Sequence, residues 1–250
     1  MTEQLLTMQR QIAAIKLQWV IVPWLVTLVA YLWQHQFFTG WVLIPFILSI
    51  AVTNNYLVAR QRTKKIQHIN DLRFDAVFWQ PLQQQYPHLT IRQRRLIEQG
   101  FKDYLALHVM QKRAFAMPSH AVDALWHAML TFPDRYEKLC KEAIGRTLTH
   151  RPFSPNPSTA DAAAQEKQLL EAWRYSCMLH NLNPRNTSSL PRLFAIDAAL
   201  VWAGGQVFDL QQLRTQYAEY LRDQSSSSSC GSSGSGSSCS SCSSCGGGGD

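Results

Sequence analysis

Two apolar stretches near the N-terminus constrain this 250-residue chain more than any other feature. Residues 17–33 and 41–58 contain no Asp, Glu, Lys or Arg, and only the uncharged residues 34–40 separate them. Each approaches the roughly 20 residues that a helix needs to cross a hydrocarbon core. Trp19, Trp24, Tyr31, Trp33, Trp41 and Tyr56 sit near their ends, as an aromatic belt would. Pro23 and Pro45 are compatible with membrane helices, where neighbours satisfy the freed carbonyls. A signal peptide would need small residues after the first stretch, and Tyr31-Leu32-Trp33-Gln34-His35-Gln36 offers none. A buried hairpin in a soluble domain is disfavoured by two uncharged stretches in tandem. The expectation is a two-helix transmembrane hairpin over 17–58, led by an amphipathic segment over 1–16.

The flanking charges set its orientation. Arg10 and Lys16 precede the first stretch, and Arg60, Arg62, Lys64 and Lys65 follow the second, within a basic juxtamembrane segment over 59–66. The connecting loop has no Lys or Arg, so the positive-inside rule puts both termini in the cytoplasm of an integral membrane protein. Each base at the headgroup level would contribute about 1 kcal/mol with anionic lipid, making the bilayer itself a partner.

Residues 67–223 read as a multi-helix domain. Ile69, Leu72, Ala76 and Trp79 trace one helical stripe. Thr90 and Gln93 form a capping box for the next helix, whose stripe is Ile97, Phe101, Tyr104, Leu105 and His108. Thr159 and Asp161 open a long helix with Leu169, Leu170, Trp173 and Cys177 inward. A short apolar segment over 193–202 is closed by Gly204-Gly205, and Leu210, Leu213, Tyr217 and Leu221 mark a last helix. No period-two pattern appears, so the class is all-α.

The centre of that domain, residues 117–150, holds the chain's densest concentration of chemically capable side chains. Ser119 stands at an N-cap, and Val122, Leu125, Trp126 and Met129 form a buried stripe. His120, Asp123 and His127 share the neighbouring face. Pro133 and Asp134 start a second helix, Tyr136, Leu139, Cys140 and Ile144 give its apolar face, and Gly145 ends it. Such a hairpin would bring His150 back towards the first helix.

Val122-Asp123-x-x-Trp126-His127, then Pro133-x-x-Tyr136, Cys140, Gly145 and His150, resembles the glycine-rich domain-containing protein family and its bacterial members. Tyr86-Pro87-x-Leu89-Thr90, Leu170-x-x-Trp173-x-x-x-Cys177, Leu190-Pro191-x-Leu193-Phe194-x-x-Asp197 and Gly204-Gly205 extend the resemblance over roughly residues 75–205. Many relatives carry a second His two residues after the first, where this chain has Met129. The resemblance implies a helical domain of undefined biochemical activity, often with a Gly-rich tail, and with the hairpin it places the chain in a bacterial inner membrane. It carries over no catalytic residue.

His120, Asp123, His127 and His150 are suitable ligand types for zinc or iron, although no His-Glu-x-x-His signature is present. The structural alternative is that Asp123 and His127 bond within the domain and fix its packing beside Trp126. Trp126, Tyr136 and Cys140 are the core of the motif, and Cys140 and Cys177 lie on inferred core faces, where a thiol behaves as a small hydrophobe.

Residues 224–250 are almost wholly Ser, Gly and Cys, and they lack the apolar side chains a core needs. Cys230, Cys239, Cys242 and Cys245 place thiols at a spacing that could capture zinc or copper(I) under reducing conditions. A formal net charge of +7 invites a nucleic-acid reading, but the bases are scattered and no recognition signature with interleaved aromatics accompanies them. Nucleic acid is therefore not an expected partner. Two functions remain: a membrane-anchored cytosolic interaction or scaffold protein recruiting a protein partner, or a metal-binding protein or metal-dependent enzyme built on the His120, Asp123, His127 and His150 cluster.

Overall fold

The computed structural model describes residues 22, 24–29, 40–149 and 158–227. Among them every regular element is helical and no strand occurs. Helix α1 (Gly40–Asp71) leads through a 3-10 turn (Ala76–Phe78) into α2 (Trp79–Gln85). Then follow α3 (Ile91–Met110), α4 (His120–Leu130), α5 (Pro133–Ile144), α6 (Thr159–Leu179), α7 (Arg192–Leu200) and α8 (Leu210–Ser227).

Helix α3 is the hub. It touches α1, α4, α5, α6 and α7, and every residue from Gly100 to His108 is buried. A helix covered on all sides must satisfy its polar groups within the protein. Lys102 donates to the Asn70 carbonyl at 3.1 Å and pairs with Glu98 at 2.9 Å. Asp103 receives a two-pronged bond from Arg192, at 2.8 and 2.6 Å, and meets His180 Nε2 at 2.9 Å. Burial pushes the Asp103 carboxyl up, but the His180 and Arg192 hydrogen bonds outweigh it and hold the group below the usual carboxylate range. The start of α3 is fixed by a complete capping box: Thr90 Oγ1 accepts from Gln93 N at 3.3 Å, and Gln93 Oε1 accepts from Thr90 N at 2.9 Å.

Around α3 an aromatic chain ties the layers together. Phe101 packs against Phe74, Tyr104 and Trp126 with ring centroids 5.8, 6.4 and 6.1 Å away. Trp173 is fully buried against Phe194. Ser119 caps α4, Pro133 opens α5, and Gly145 in the left-handed region closes it.

The N-terminal region requires a correction. Among the described residues no helix is long and apolar enough to cross a membrane. The first expected span, 17–33, falls largely outside the described residues, of which Val22 and residues 24–29 are helical. The second lies inside α1, and its uncharged polar residues explain the difference. Ser49 is buried, with its hydroxyl 3.2 Å from that of Thr27. Thr53 Oγ1 donates to the Ser49 carbonyl at 2.7 Å and accepts from Trp24 Nε1 at 3.0 Å. Asn54 and Asn55 are exposed, and α1 runs on without a break through Arg60, Arg62, Lys64 and Lys65 into the domain. Counting only formal charge overlooked this polar content. The transmembrane hairpin and the integral-membrane placement with both termini cytoplasmic are not supported. The expected segment 1–16 lies outside the described residues, as do residues 228–250 of the expected tail over 224–250, whose first four residues close α8.

Candidate functional site

An open groove of about 480 Å³ runs along the exposed face of α4. Three separated segments build it: Leu82, Gln85 and Tyr86 from α2 and its end, residues 120–131, and Trp202 with Ala203 from the loop after α7. The helical spacing that put His120, Asp123 and His127 on one face of α4 therefore does bring them to one concavity. His120 and His127 are exposed, and Asp123 is half-buried.

His120 Nδ1 lies 2.6 Å from the Gly204 carbonyl, which can only accept, so this nitrogen carries the proton. His127 Nδ1 faces both the Asp123 carbonyl at 3.0 Å and Asp123 Oδ2 at 3.2 Å, an i,i+4 contact within one helix. His120 and His127 are seven residues apart on α4, roughly 10 Å along the axis, and each ring faces a different backbone carbonyl. Among the described residues no group of three His, Cys, Asp or Glu is arranged to hold a metal ion. His150 and Cys230, Cys239, Cys242 and Cys245 lie outside the described residues.

The motif core is structural in its contacts. Trp126 Nε1 donates to Tyr136 Oη at 2.8 Å, and Tyr136 Oη donates to the Leu148 carbonyl at 2.9 Å. This relay pins the turn after α5 beneath α4. Burial raises the Tyr136 phenol and the Cys140 thiol above their ordinary values. Burial also pushes Cys177 up to about 12. Neither thiol is exposed, and neither is poised as a thiolate nucleophile.

What organises the groove is a residue that sequence reasoning placed only as part of a motif. Asp197 on α7 is buried, and its carboxylate accepts four hydrogen bonds. Oδ1 takes Ser119 Oγ at 2.5 Å and Ala121 N at 3.1 Å, and Oδ2 takes His120 N at 2.8 Å and Gln206 N at 2.9 Å. Three of these donors belong to the start of α4, where free amides and the helix dipole favour an anion. The fourth belongs to the loop that carries Trp202. One carboxylate thus fastens the groove's floor to its wall.

The wall itself is tightly turned. Val201, a β-branched residue, is held at φ 51° with its side chain 88% exposed. Gly204 has φ 68°, and a Cβ on Gly205 would lie 2.9 Å from both Asp197 Cβ and the Trp202 carbonyl oxygen. This path sets Trp202 on Tyr86, ring centroids 4.4 Å apart. Gly204-Gly205 was legible as a chain break and Tyr86 only as part of a motif, and nothing in their spacing announced a shared wall.

Comparison with known proteins gives one family. A family model described as UCP032817-like matches residues 64–233, and no curated protein and no solved structure matches. The resemblance to the glycine-rich domain-containing family is thereby corrected. Its motif residues, Trp126, Tyr136, Cys140, Trp173 and Cys177, are buried packing positions, and such a pattern marks a helical core more than a particular lineage.

Proposed function

The chain belongs to the UCP032817-like family, whose model spans its helical domain, and we propose that it acts as a helical interaction module that docks a segment of a partner protein in the α4 groove. The observation that carries this reading is the Asp197 tether. A buried carboxylate with four donors is costly to build, and here it fixes α7 and the loop that carries Trp202 to the start of α4, beside a surface concavity. Two features of the rim agree. Val201 and Val207 are 88% and 75% exposed on the loop that forms one wall. The strained backbone at Val201 is of the kind that persists where function requires a fixed loop.

The chemistry of the groove favours binding over catalysis. His120 bonds to the Gly204 carbonyl, and His127 faces the carbonyl and the carboxylate of Asp123, so both rings are engaged within the protein. A photo-crosslinking side chain at Thr131, on the rim, should form an adduct with a partner in cells, whereas the same group at exposed Lys138 on α5 should not. Adducts from both positions, or from neither, would sink the reading.

A further inference from the structure

We infer that the N-terminal half of α1, with the helical residues 24–29 packed on it, docks as a shallow apolar tip on an anionic lipid surface. The observations behind this are separate from the groove. Twelve of the sixteen exposed large apolar side chains among the described residues lie within 22–29 and 44–58. Ile44, Ile47 and Leu48 are 67%, 64% and 57% exposed. Apolar surface of this extent marks an interaction site. The polar atoms of the pair are turned the other way. Trp24 Nε1 donates to Thr53 Oγ1 at 3.0 Å, and Thr27 Oγ1 lies 3.2 Å from Ser49 Oγ, so the hydroxyls meet between the two helices. Val22, Leu25, Val26 and Val29, at i, i+3, i+4 and i+7, form an exposed stripe on the opposite side of their helix. A helix pair that faces water does the reverse and turns its apolar stripes inward.

Charge beside the tip says what covers it. Helix α1 carries no Asp or Glu before Asp71, while Arg60, Arg62, Lys64 and Lys65 are all exposed. Arg62 stands in register with Ile44, and Lys65 with Ile47, about five turns along the helix. The face is therefore apolar at one end and basic at the other. A second copy of this chain would offer it no acidic complement, whereas anionic headgroups do. The apolar side chains also point outward from both helices. One rigid protein face could cover only one side of the pair, and fluid acyl chains fill around both. Polar residues set the depth. From Ile44 to Ile50 the helix rises about 9 Å, the depth to which an interfacial helix sinks its apolar face and far short of a crossing. Asn54 and Asn55 are exposed just beyond. Trp24, bonded at the level of Thr53, sits at that boundary, where an indole with an apolar body and a polar edge belongs. The four bases follow at headgroup level.

The test mixes the full-length protein with vesicles of phosphatidylcholine alone, or of phosphatidylcholine with phosphatidylglycerol, and separates bound protein by flotation. The phosphatidylglycerol vesicles should bind it, and the neutral ones at least about tenfold more weakly. Replacing two bases together, Arg62→Gln with Lys65→Gln, should weaken binding to the anionic vesicles about thirtyfold. Ile47→Asp should abolish it by putting a charge on the apolar tip. The replaced side chains are all exposed, so far-UV circular dichroism should be unchanged and lost binding is not lost fold. Binding to neither vesicle overturns the inference, and so does equal binding to both or binding that survives the substitutions. Concentration-dependent dimers that Ile47→Asp dissolves, with no vesicle binding, would overturn it too and assign the face to a second copy.

Discussion

Asp197 and His108 show how differently two buried polar residues behave. Each Asp197 carboxylate oxygen meets two donors, so Asp197→Asn would set an amide N–H against donors and leave the start of α4 without its anion. Loss of such a charged hydrogen-bond set costs about 3 kcal/mol. Chemical denaturation should register that loss, and the exchange rates of the His120 and Ala121 amides should rise. His108 is the opposite case. Its ring is wedged between Tyr104 and Phe115, Nδ1 lies 3.4 Å from Arg146 Nη2, and Nε2 has no hydrogen-bond partner. Burial, with the Arg146 charge second, lowers its pKa from 6.5 to about 4. The unfolded chain therefore binds a proton that the folded chain refuses between those values. Stability contributed by the neutral ring is complete above pH 6.5 and falls as the pH drops towards 4, by up to about 3 kcal/mol. His108→Phe should flatten that limb in denaturation curves measured across this window. Sequence could nominate His108 only as one more member of a stripe, because burial on every side of α3 depends on five helices that lie elsewhere in the chain.

At the scale of elements, local signals were the legible ones. Thr90 with Gln93, Ser119, Pro133 and Gly145 each act through neighbours within a turn, and each occupies the position that its chemistry implies. Contacts between elements were not legible. Gly100 illustrates why. Inside an isolated helix, Ala would be better than Gly by about 1 kcal/mol. Here a Cβ would fall 2.3 Å from Ile196 Cδ1 and 2.7 Å from Val122 Cγ2, at the crossing of α3 with α7 and α4. Ile196 can turn its terminal methyl, but β-branched Val122 is stiff and fully buried. Gly100→Ala is thus expected to destabilise by about 1–2 kcal/mol in urea, the overpacking outweighing the propensity. Val201 runs the other way. Its left-handed backbone costs a β-branched residue about 1–2 kcal/mol, and its exposed side chain contributes little packing. Asn suits that region, so Val201→Asn should raise the melting temperature. The same substitution leaves Trp202 and Tyr86 in place.

For the whole molecule, periodicity was enough to establish an all-α domain and to put His120, Asp123 and His127 on one face. It could not supply what the face looks onto. Tyr86 and Trp202 stand 116 residues apart in sequence, and only the packing of α2 against α4 and the Asp197 tether bring them into one wall. The apolar N-terminal stretches misled because an uncharged residue is not thereby apolar: Ser49, Thr53, Asn54 and Asn55 carry polar groups through the middle of α1. The central claim is that the α4 groove is where a partner segment docks, and photo-crosslinking in cells from Thr131 on its rim, beside Lys138 on α5, tests it most directly. An adduct from Thr131 alone is the expected result. Adducts from both positions, or from neither, would contradict the account.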